Sequence, residues 1–278
     1  MKAKTLVRAV LRHGVLLVFL VVGGYPLVWM GFSAVRREGE VRSAPFALPT
    51  QTNLENFSAV LASGGFGRAY LNSLIVCAAS VLLAGMASAM AGYAFARMRF
   101  RMKETLFYLL LAGMMIPIHV TLIPLNRLLG SSGIGLKNTY WALIGPYVGF
   151  ALPISILILR GAFENVPIEL EDAARIDGCN AWGVFWRVAL PLVRPALATV
   201  VIFNFLTMWN EFAFALTLIS NESMYTLPLA LWRFKGEHGI NLTQTCAALC
   251  VAVLPVFVVY CFAQRHIIRG LTAGALRQ

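Results

Sequence analysis

The sequence predicts an all-α membrane protein with six transmembrane helices, and three observations lead to this prediction. The chain is 59% hydrophobic and 13% charged, a balance that a water-soluble domain of 278 residues could not easily bury. Six nearly charge-free runs are long enough, at about 20 residues each, to span roughly 30 Å of hydrocarbon. Basic residues collect in alternate segments between these runs, as they do in multi-pass membrane proteins.

The predicted spans run from the first apolar segment near the N-terminus to the last one before the C-terminus. Gly, Pro and Ser occur inside them, where neighbouring helices can satisfy the backbone groups that such residues free. The six runs are Gly14–Val35, Ala69–Ala96, Thr105–Asn126, Asn138–Leu159, Pro195–Asn221 and Gly239–Gln264.

The basic residues predict that both termini are cytoplasmic. With the N-terminus inside, the cytoplasmic segments hold 15 of the 23 basic residues, as the positive-inside rule requires. The net charge of +11 then follows from topology and from contact with anionic membrane lipid, and no nucleic-acid partner is needed. The 15 are Lys2, Lys4, Arg8, Arg12, Arg97, Arg99, Arg101, Lys103, Arg160, Arg175, Arg187, Arg194, Arg265, Arg269 and Arg277.

The loop 161–194, between the fourth and fifth spans, is predicted to form a helical hairpin. Pro167 fits the first turn of a helix, where its missing N–H costs nothing. Glu169, Glu171 and Asp172 follow in the first turn, where carboxylates favour the positive end of the helix dipole. A loop with its own secondary structure predicts a partner outside the membrane, the alternative being a solvated amphipathic helix without one.

The second arm of the hairpin is predicted from residues that typically end or cap helices. Gly178 suits the left-handed residue that ends the first helix. Asn180 can cap a second helix, Ala181–Leu190, which Pro191 and Pro195 are expected to end.

The same hairpin resembles the EAA loop of binding-protein-dependent ABC importer permeases. Two departures are mild: Asp172 stands where the leading Glu of the motif is expected, with Glu171 beside it, and Cys179 replaces the usual Ala. The resemblance is carried by Asp172-Ala173-Ala174, by Asp177-Gly178 and, nine residues later, by Val188-Ala189-Leu190-Pro191.

In that family the loop is the coupling helix that docks into a groove on a cytoplasmic ATPase. Ala173 and Ala174 would give this helix a small-residue surface that another backbone can approach closely. The resemblance therefore implies the ATPase-coupling residues Glu171, Asp172, Ala173, Ala174, Asp177, Gly178, Leu190 and Pro191.

Three further runs are similar to the carbohydrate branch of the family, in which importers take up sugars or sugar-like polyol phosphates, as the maltose and glycerol-phosphate systems do. They are Trp209–Phe212, Tyr225–Pro228 and the ending Gln264–Ala275. A fourth, partial match at Asn53–Phe57, in the outer segment Arg36–Arg68, predicts a short surface helix or extended stretch facing a binding protein.

The resemblance implies a single permease domain over residues 1–278, the shorter of two permease subunits in a bacterial or archaeal cytoplasmic membrane. Its parts would be a first span at about 14–35, a transport core at about 69–265, the coupling loop 161–194 and a cytoplasmic tail 266–278. The implied partners are a second homologous permease, two copies of an ABC ATPase and an extracytoplasmic sugar-binding protein. The implied mechanism is alternating access driven by that ATPase.

Glu211 is the acidic residue inside the predicted spans. Asn204, Thr207 and Glu211 follow at i, i+3 and i+7, with Asn210 adjacent, and would share one helix face as candidates for a translocation path. The alternative is that Glu211 sits near the outer interface and satisfies a neighbouring helix.

The sequence contains no recognisable motif for catalysis or metal binding. There is no Walker A loop, catalytic triad or paired-carboxylate site, so the chain is predicted to be a transport subunit rather than an enzyme, without cofactor or metal. Five scattered cysteines do not suggest a disulfide framework. The alternative function is a stand-alone secondary carrier. Such a carrier would have no use for the hairpin. It would also place ionisable coupling residues at mid-membrane, where this sequence offers Glu211 alone.

Overall fold

The computed structural model describes residues 2–237 and 241–275, with side chains for residue 8, residues 10–232 and residues 241–262. Within these ranges every element is helical, which confirms the all-α prediction. The chain divides into two compact units. The first comprises Met1–Gly67 with Ala230–Leu254, and the second comprises Arg68–Leu229 with Pro255–Gln278.

Two helices, Phe66–Arg97 and Trp141–Glu164, begin and end close to the predicted runs Ala69–Ala96 and Asn138–Leu159. Among the described residues, the α-helices are accompanied by the 3-10 turns Gly113–Met115 and Glu222–Met224 and the π-helical turn Phe185–Ala189. In chain order the α-helices are α1 (Lys2–Ala34), α2 (Glu38–Ser43), α3 (Glu55–Ala62), α4 (Phe66–Arg97), α5 (Lys103–Ala112), α6 (Ile118–Leu129), α7 (Trp141–Glu164), α8 (Ile168–Ile176), α9 (Ala181–Val184), α10 (Leu190–Leu192), α11 (Arg194–Trp209), α12 (Ala213–Leu218), α13 (Leu227–Glu237) and α14 (Leu242–Ala275).

Four helical segments in the described residues are long and apolar enough to cross a membrane, namely Val10–Ala34, Phe66–Arg97, Trp141–Glu164 and Leu242–Phe262. Two bent pairs pass the same criterion together, Lys103–Met115 with Ile118–Leu129 and Ala181–Leu192 with Arg194–Trp209. If each pair is one crossing, the predicted number of six spans is reached.

The predicted third span, Thr105–Asn126, is not one straight helix. Its two halves meet at 98°, because the helix breaks at Ile116 and Pro117. Ile116 is extended (φ −78°, ψ 115°), since the ring of a following proline disfavours the helical conformation.

The predicted fifth span, Pro195–Asn221, is also interrupted. α11 ends at Trp209, three residues of non-helical backbone follow, and α12 begins at Ala213. The expectation that Asn204, Thr207 and Glu211 share one helix face is therefore wrong, because Glu211 lies after the end of the helix. The ending Gln264–Ala275 continues α14, and its side chains lie outside the described residues.

In the first unit, the chain that follows α1 folds around Asn56, and a short helix, α3, is present where the sequence predicts a short helix or an extended stretch. The Asn56 amide is buried and donates to the carbonyls of Ala34 (2.9 Å) and Arg36 (2.8 Å). Its oxygen accepts from the hydroxyl of Thr243 at 3.2 Å. α3 is thereby held to the end of α1 and the beginning of α14.

Glu38 ties α2 to the same place. Its Oε2 accepts from the backbone N–H of Thr243 at 3.0 Å, and its Oε1 lies 2.8 Å from Arg42 Nε. Burial acts to raise the pKa of Glu38, but the backbone N–H groups of Thr243 and Leu242 and the Arg42 guanidinium outweigh it, so the pKa is lowered.

In the second unit, α4 and α7 pack backbone to backbone at Gly92. A Cβ on Gly92 would lie 3.0 Å from Leu159 Cβ and 3.1 Å from Arg160 N, so a side chain there would require the backbone of α7 to shift by a few tenths of an ångström. Close approach through a glycine is typical of helix pairs in membranes. This contact brings the end of α4 beside the hairpin that follows α7.

Gly92→Ala should therefore lower stability relative to Gly85→Ala, a matched change on the same helix. A Cβ on Gly85 meets its nearest neighbour at 3.9 Å, an ordinary contact. Both variants gain the same helix propensity, so their difference should report the overpacking at Gly92, about 1–3 kcal/mol. Thermal unfolding of the purified protein measures it, and equal melting temperatures would contradict the close approach.

Candidate functional site

The hairpin forms largely as its sequence predicts. Pro167 precedes α8, and Gly178 ends it with φ +88°, in the left-handed region that favours glycine. The N–H of Gly178 donates to the carbonyl of Arg175 and that of Cys179 to the carbonyl of Ala174, closing the end of the helix. Asn180 Oδ1 then accepts from the N–H of Gly183 at 2.8 Å, the predicted cap of the second arm.

The second arm is longer than predicted, because Pro191 does not end it. A π-helical turn at Phe185–Ala189 precedes the proline, with the N–H of Leu190 donating to the carbonyl of Phe185. Pro191 has no N–H for the carbonyl four residues earlier, and the wider π turn accommodates this. The arm therefore runs to Leu192 before it bends by 76° into α11.

Glu171 is the centre of the site, and its burial was not predicted from its place in the first turn of the helix. Its side chain is fully buried, and its Oε1 lies 2.7 Å from Nε of Arg97 near the end of α4. Its Oε2 accepts from the hydroxyl of Tyr93 at 2.9 Å, and Arg175 lies 3.8 Å away on the same helix. A carboxylate without solvent is stable only when it is paired and hydrogen-bonded in this way.

The same guanidinium reaches the chain just before α8. Nη2 of Arg97 donates to the carbonyl of Val166, so one arginine holds both the acid and the backbone that leads into the helix. Tyr93 and Arg97 are four residues apart on α4 and share a face, and this spacing is the feature of the sequence that could have indicated a common partner. Nothing in the sequence connects that face to Glu171, which is 74 residues away.

Apolar packing surrounds this polar centre. The Tyr93 ring contacts Phe163 (centroids 5.3 Å apart) and Phe185 (5.2 Å), which come from α7 and the second arm. Leu190 packs against the same cluster, and Pro191 is half-buried. Both arms of the hairpin, α4 and α7 thus form one packed body.

The opposite side of α8 is exposed. Ala173 lies on it, whereas Ala174 is buried against the chain, so the predicted small-residue surface reduces to Ala173. Asp172 and Asp177 are exposed, and Ile176 at the end of the helix is 87% exposed. This side of α8 therefore presents two carboxylates and one uncovered apolar side chain to its surroundings.

The candidate path residues occupy a second location in the same unit. Glu211 Oε2 accepts from the hydroxyl of Tyr147 at 2.7 Å, and its Oε1 accepts from the N–H of Phe214 at 2.8 Å. Oε2 also lies 3.4 Å from the N–H of Ala215. Glu211 therefore supplies acceptors to the first N–H groups of α12, which explains how the break in the fifth span is tolerated.

A mostly apolar cavity of about 360 Å³ lies beside this break. Asn204, Thr207 and Glu211 line it, together with the rings of Phe150 and Phe214. The Asn204 amide donates to the Ser155 hydroxyl at 3.0 Å and Thr207 donates to the carbonyl of Phe203, so both already have partners in the chain. Asn210 bonds the carbonyl of Leu206 and is not among the lining residues.

Within the described residues, no three His, Cys, Asp or Glu side chains come together in a way that could hold a metal ion. The cysteines there are free thiols. The polar chemistry of the described chain is concentrated instead in buried hydrogen bonds that hold helices to one another.

A family model described as the inner membrane component of binding-protein-dependent transport systems matches residues 57–273. A protein of Caldicellulosiruptor sp. that is named as an ABC transporter permease is 41% identical over 263 residues, 94% of each chain. The diacetylchitobiose uptake system permease protein NgcG of Streptomyces coelicolor is 34% identical over 97% of this chain and 89% of its own. The arabinooligosaccharides transport system permease protein AraQ of Halalkalibacterium halodurans is 32% identical over 91% of each.

The fold is also similar to a solved structure. A chain of a bacterial ABC transporter involved in the import of the acidic polysaccharide alginate superposes with a TM-score of 0.82. The match covers 93% of this chain and 96% of the other at 21% identity, so the likeness is one of fold.

Glu171→Gln should destabilise the protein far more than Asp172→Asn, its neighbour and matched control. The first leaves the guanidinium of Arg97 without its carboxylate in a buried place, a loss of about 3–5 kcal/mol. The second removes an exposed ion pair with Arg175, worth roughly 0–1 kcal/mol. Thermal unfolding compares them, and Arg97→Gln added to Glu171→Gln should recover part of the loss. Equal stability of the two single variants would refute the buried pair.

Glu211→Leu should lower stability by about 1–3 kcal/mol, since it leaves the Tyr147 hydroxyl and the backbone N–H of Phe214 without an acceptor. Glu211→Gln keeps one acceptor oxygen and should cost less. Glu222→Gln, an exposed acid in the following turn, controls for the loss of charge. If Glu211→Leu unfolds at the wild-type temperature, the carboxylate does not hold the break.

Proposed function

We infer the function from one premise: this chain belongs to the family of inner membrane components of binding-protein-dependent transport systems. With four to six apolar spans it is a multi-pass protein of the cytoplasmic membrane and a permease subunit of an ABC importer. We propose that the cargo is a sugar or a sugar-like polyol phosphate. Relatives named for diacetylchitobiose and arabinooligosaccharide uptake, aligned over at least 91% of this chain, support that class.

The observation that carries the proposed mechanism is the two-sided character of α8. Its inner side is locked to α4 by the buried Glu171–Arg97 pair, and its outer side presents Ala173, Asp172 and Ile176. A helix held in this way can pass a displacement of its outer partner to the span behind it. This is the role of a coupling helix on a cytoplasmic ATPase.

The proposed assembly contains a second homologous permease, two copies of the ATPase and an extracytoplasmic sugar-binding protein. Closure of the ATPase dimer on ATP would move both coupling helices, and the permeases would alternate between inward-open and outward-open states. In this assembly the ATPase hydrolyses ATP and the present chain carries no ATPase site of its own. The single permease domain over 1–278, with its core at about 69–265, belongs to the same proposal.

The proposed orientation places both termini and the hairpin in the cytoplasm. The surplus of basic residues in those segments supports it, and α2 and α3 then face outward, toward a binding protein. Asn204, Thr207 and Glu211 are the path candidates that line the cavity, and the Asn204 amide is also bonded to Ser155. Asn210 is the weakest member of the set, since its amide bonds its own helix.

Ala173→Leu should weaken ATPase binding without unfolding the chain, because Ala173 is exposed on the outer side of α8. Ala78→Leu, exposed in the middle of α4, is the matched control. We expect a ten-fold or greater loss of co-purified ATPase and of uptake, about 1.4 kcal/mol of binding energy, with normal membrane insertion. ATPase that still co-purifies, with cargo-stimulated ATP turnover, would contradict the docking role.

A further inference from the structure

The second arm of the hairpin carries an exposed aromatic surface that the proposed function does not use. Trp182 is 59% exposed and Trp186 46%, and their rings stack with centroids 6.3 Å apart and an interplanar angle of 23°. Leu192, near the bend, is 49% exposed. Together, these three side chains form the tryptophan face of the hairpin. The other side of the arm, with Phe185 and Ala189, is buried in the apolar packing around Tyr93 and Phe163.

The two arms of the hairpin differ in charge. Residues 168–178 hold four acidic residues and one basic residue, whereas residues 179–195 hold two arginines and no acid. Those arginines, Arg187 and Arg194, are both exposed. A partner that covers the second arm should therefore be anionic, unlike the partner of α8.

The direction of the second arm also differs from that of a span. Ala181–Leu192 is bent by 76° from α11, so it runs nearly across the axis of the membrane helix that it leads into. If α11 is the crossing, a segment bent this far from it is directed along the membrane surface. Trp is the side chain most typical of that depth, with its apolar ring in the acyl boundary and its N–H toward water.

A small apolar groove adjoins the same surface. Its volume is about 210 Å³, and it lies between the end of α4 and the second arm, lined by Met90, Tyr93, Met98, Ala181, Trp182 and Phe185. The groove offers contacts for a hydrocarbon chain and no charged group to bind a polar ligand.

We propose that the tryptophan face is a lipid-binding surface that holds the second arm in the headgroup region of the bilayer and prefers anionic phospholipid. An acyl chain would occupy the groove beside Trp182, and Arg187 and Arg194 would attract the phosphate layer. The second arm would then be anchored at the bilayer surface, while α8, locked to the end of α4, presents its outer side to the protein partner. The inference rests on the proposed function for the cytoplasmic side of the hairpin.

Photo-crosslinking tests this inference. The photoreactive residue p-benzoylphenylalanine replaces Trp182 or Trp186. The intact transporter is reconstituted into nanodiscs of phosphatidylethanolamine and phosphatidylglycerol and irradiated. The mass of the chain is then measured by mass spectrometry. The expected product at both positions is the chain plus one phospholipid, with phosphatidylglycerol enriched over its share of the bilayer. Arg187→Gln should reduce that enrichment roughly five-fold, the factor expected for one arginine near an anionic surface. Adducts with another protein at both positions, or no adduct at either, would overturn the proposal.

The same substitution at Ile176 separates this inference from the proposed function. Ile176 is 87% exposed on α8 and should crosslink to the ATPase rather than to lipid. Lipid adducts at Trp182 and Trp186 with no protein adduct at Ile176 would support the lipid surface and count against the coupling role. ATPase adducts at all three positions would leave the coupling role intact and refute the lipid surface.

Discussion

The buried pair between Glu171 and Arg97 is the interaction on which the arrangement of the hairpin depends. A fully buried carboxylate is costly unless it is paired, so this one fixes α8 against the end of α4 in a single orientation. The Tyr93 hydroxyl and the carbonyl of Val166 complete the polar centre. Because the surrounding rings pack against this centre, a displacement of α8 must move α4 or break the pair.

The two arms of the hairpin expose surfaces of different chemistry. α8 turns carboxylates and Ile176 outward, which suits a protein groove. The second arm turns two tryptophans and two arginines outward, which suits an anionic membrane surface. The turn at Gly178, in a conformation that favours glycine, lets the two arms leave in different directions.

Within the spans, irregular backbone occurs where a partner satisfies it. At Glu211 the carboxylate accepts from the first turn of α12 and from Tyr147, so the three non-helical residues between α11 and α12 are accommodated. At Pro117 the break follows from the proline itself, and the two halves of the pair bend by 98°. The bend at Pro117 and the break at Glu211 distinguish these two segments from the straight spans that the sequence predicts.

The sequence by itself determined the features that depend on local chemistry. Apolar length predicted the spans, Gly178 predicted a left-handed turn and Asn180 predicted a cap, because each depends on neighbouring residues alone. The tertiary structure decided which side chains meet. The sequence predicted Glu171 as one of three first-turn carboxylates, and the structure places it against Arg97 of α4. The sequence predicted Glu211 as part of a helix, and the structure shows that it accepts hydrogen bonds from the first turn of the next helix. Burial and pairing depend on residues distant in the chain, and for that reason only the folded chain reveals them.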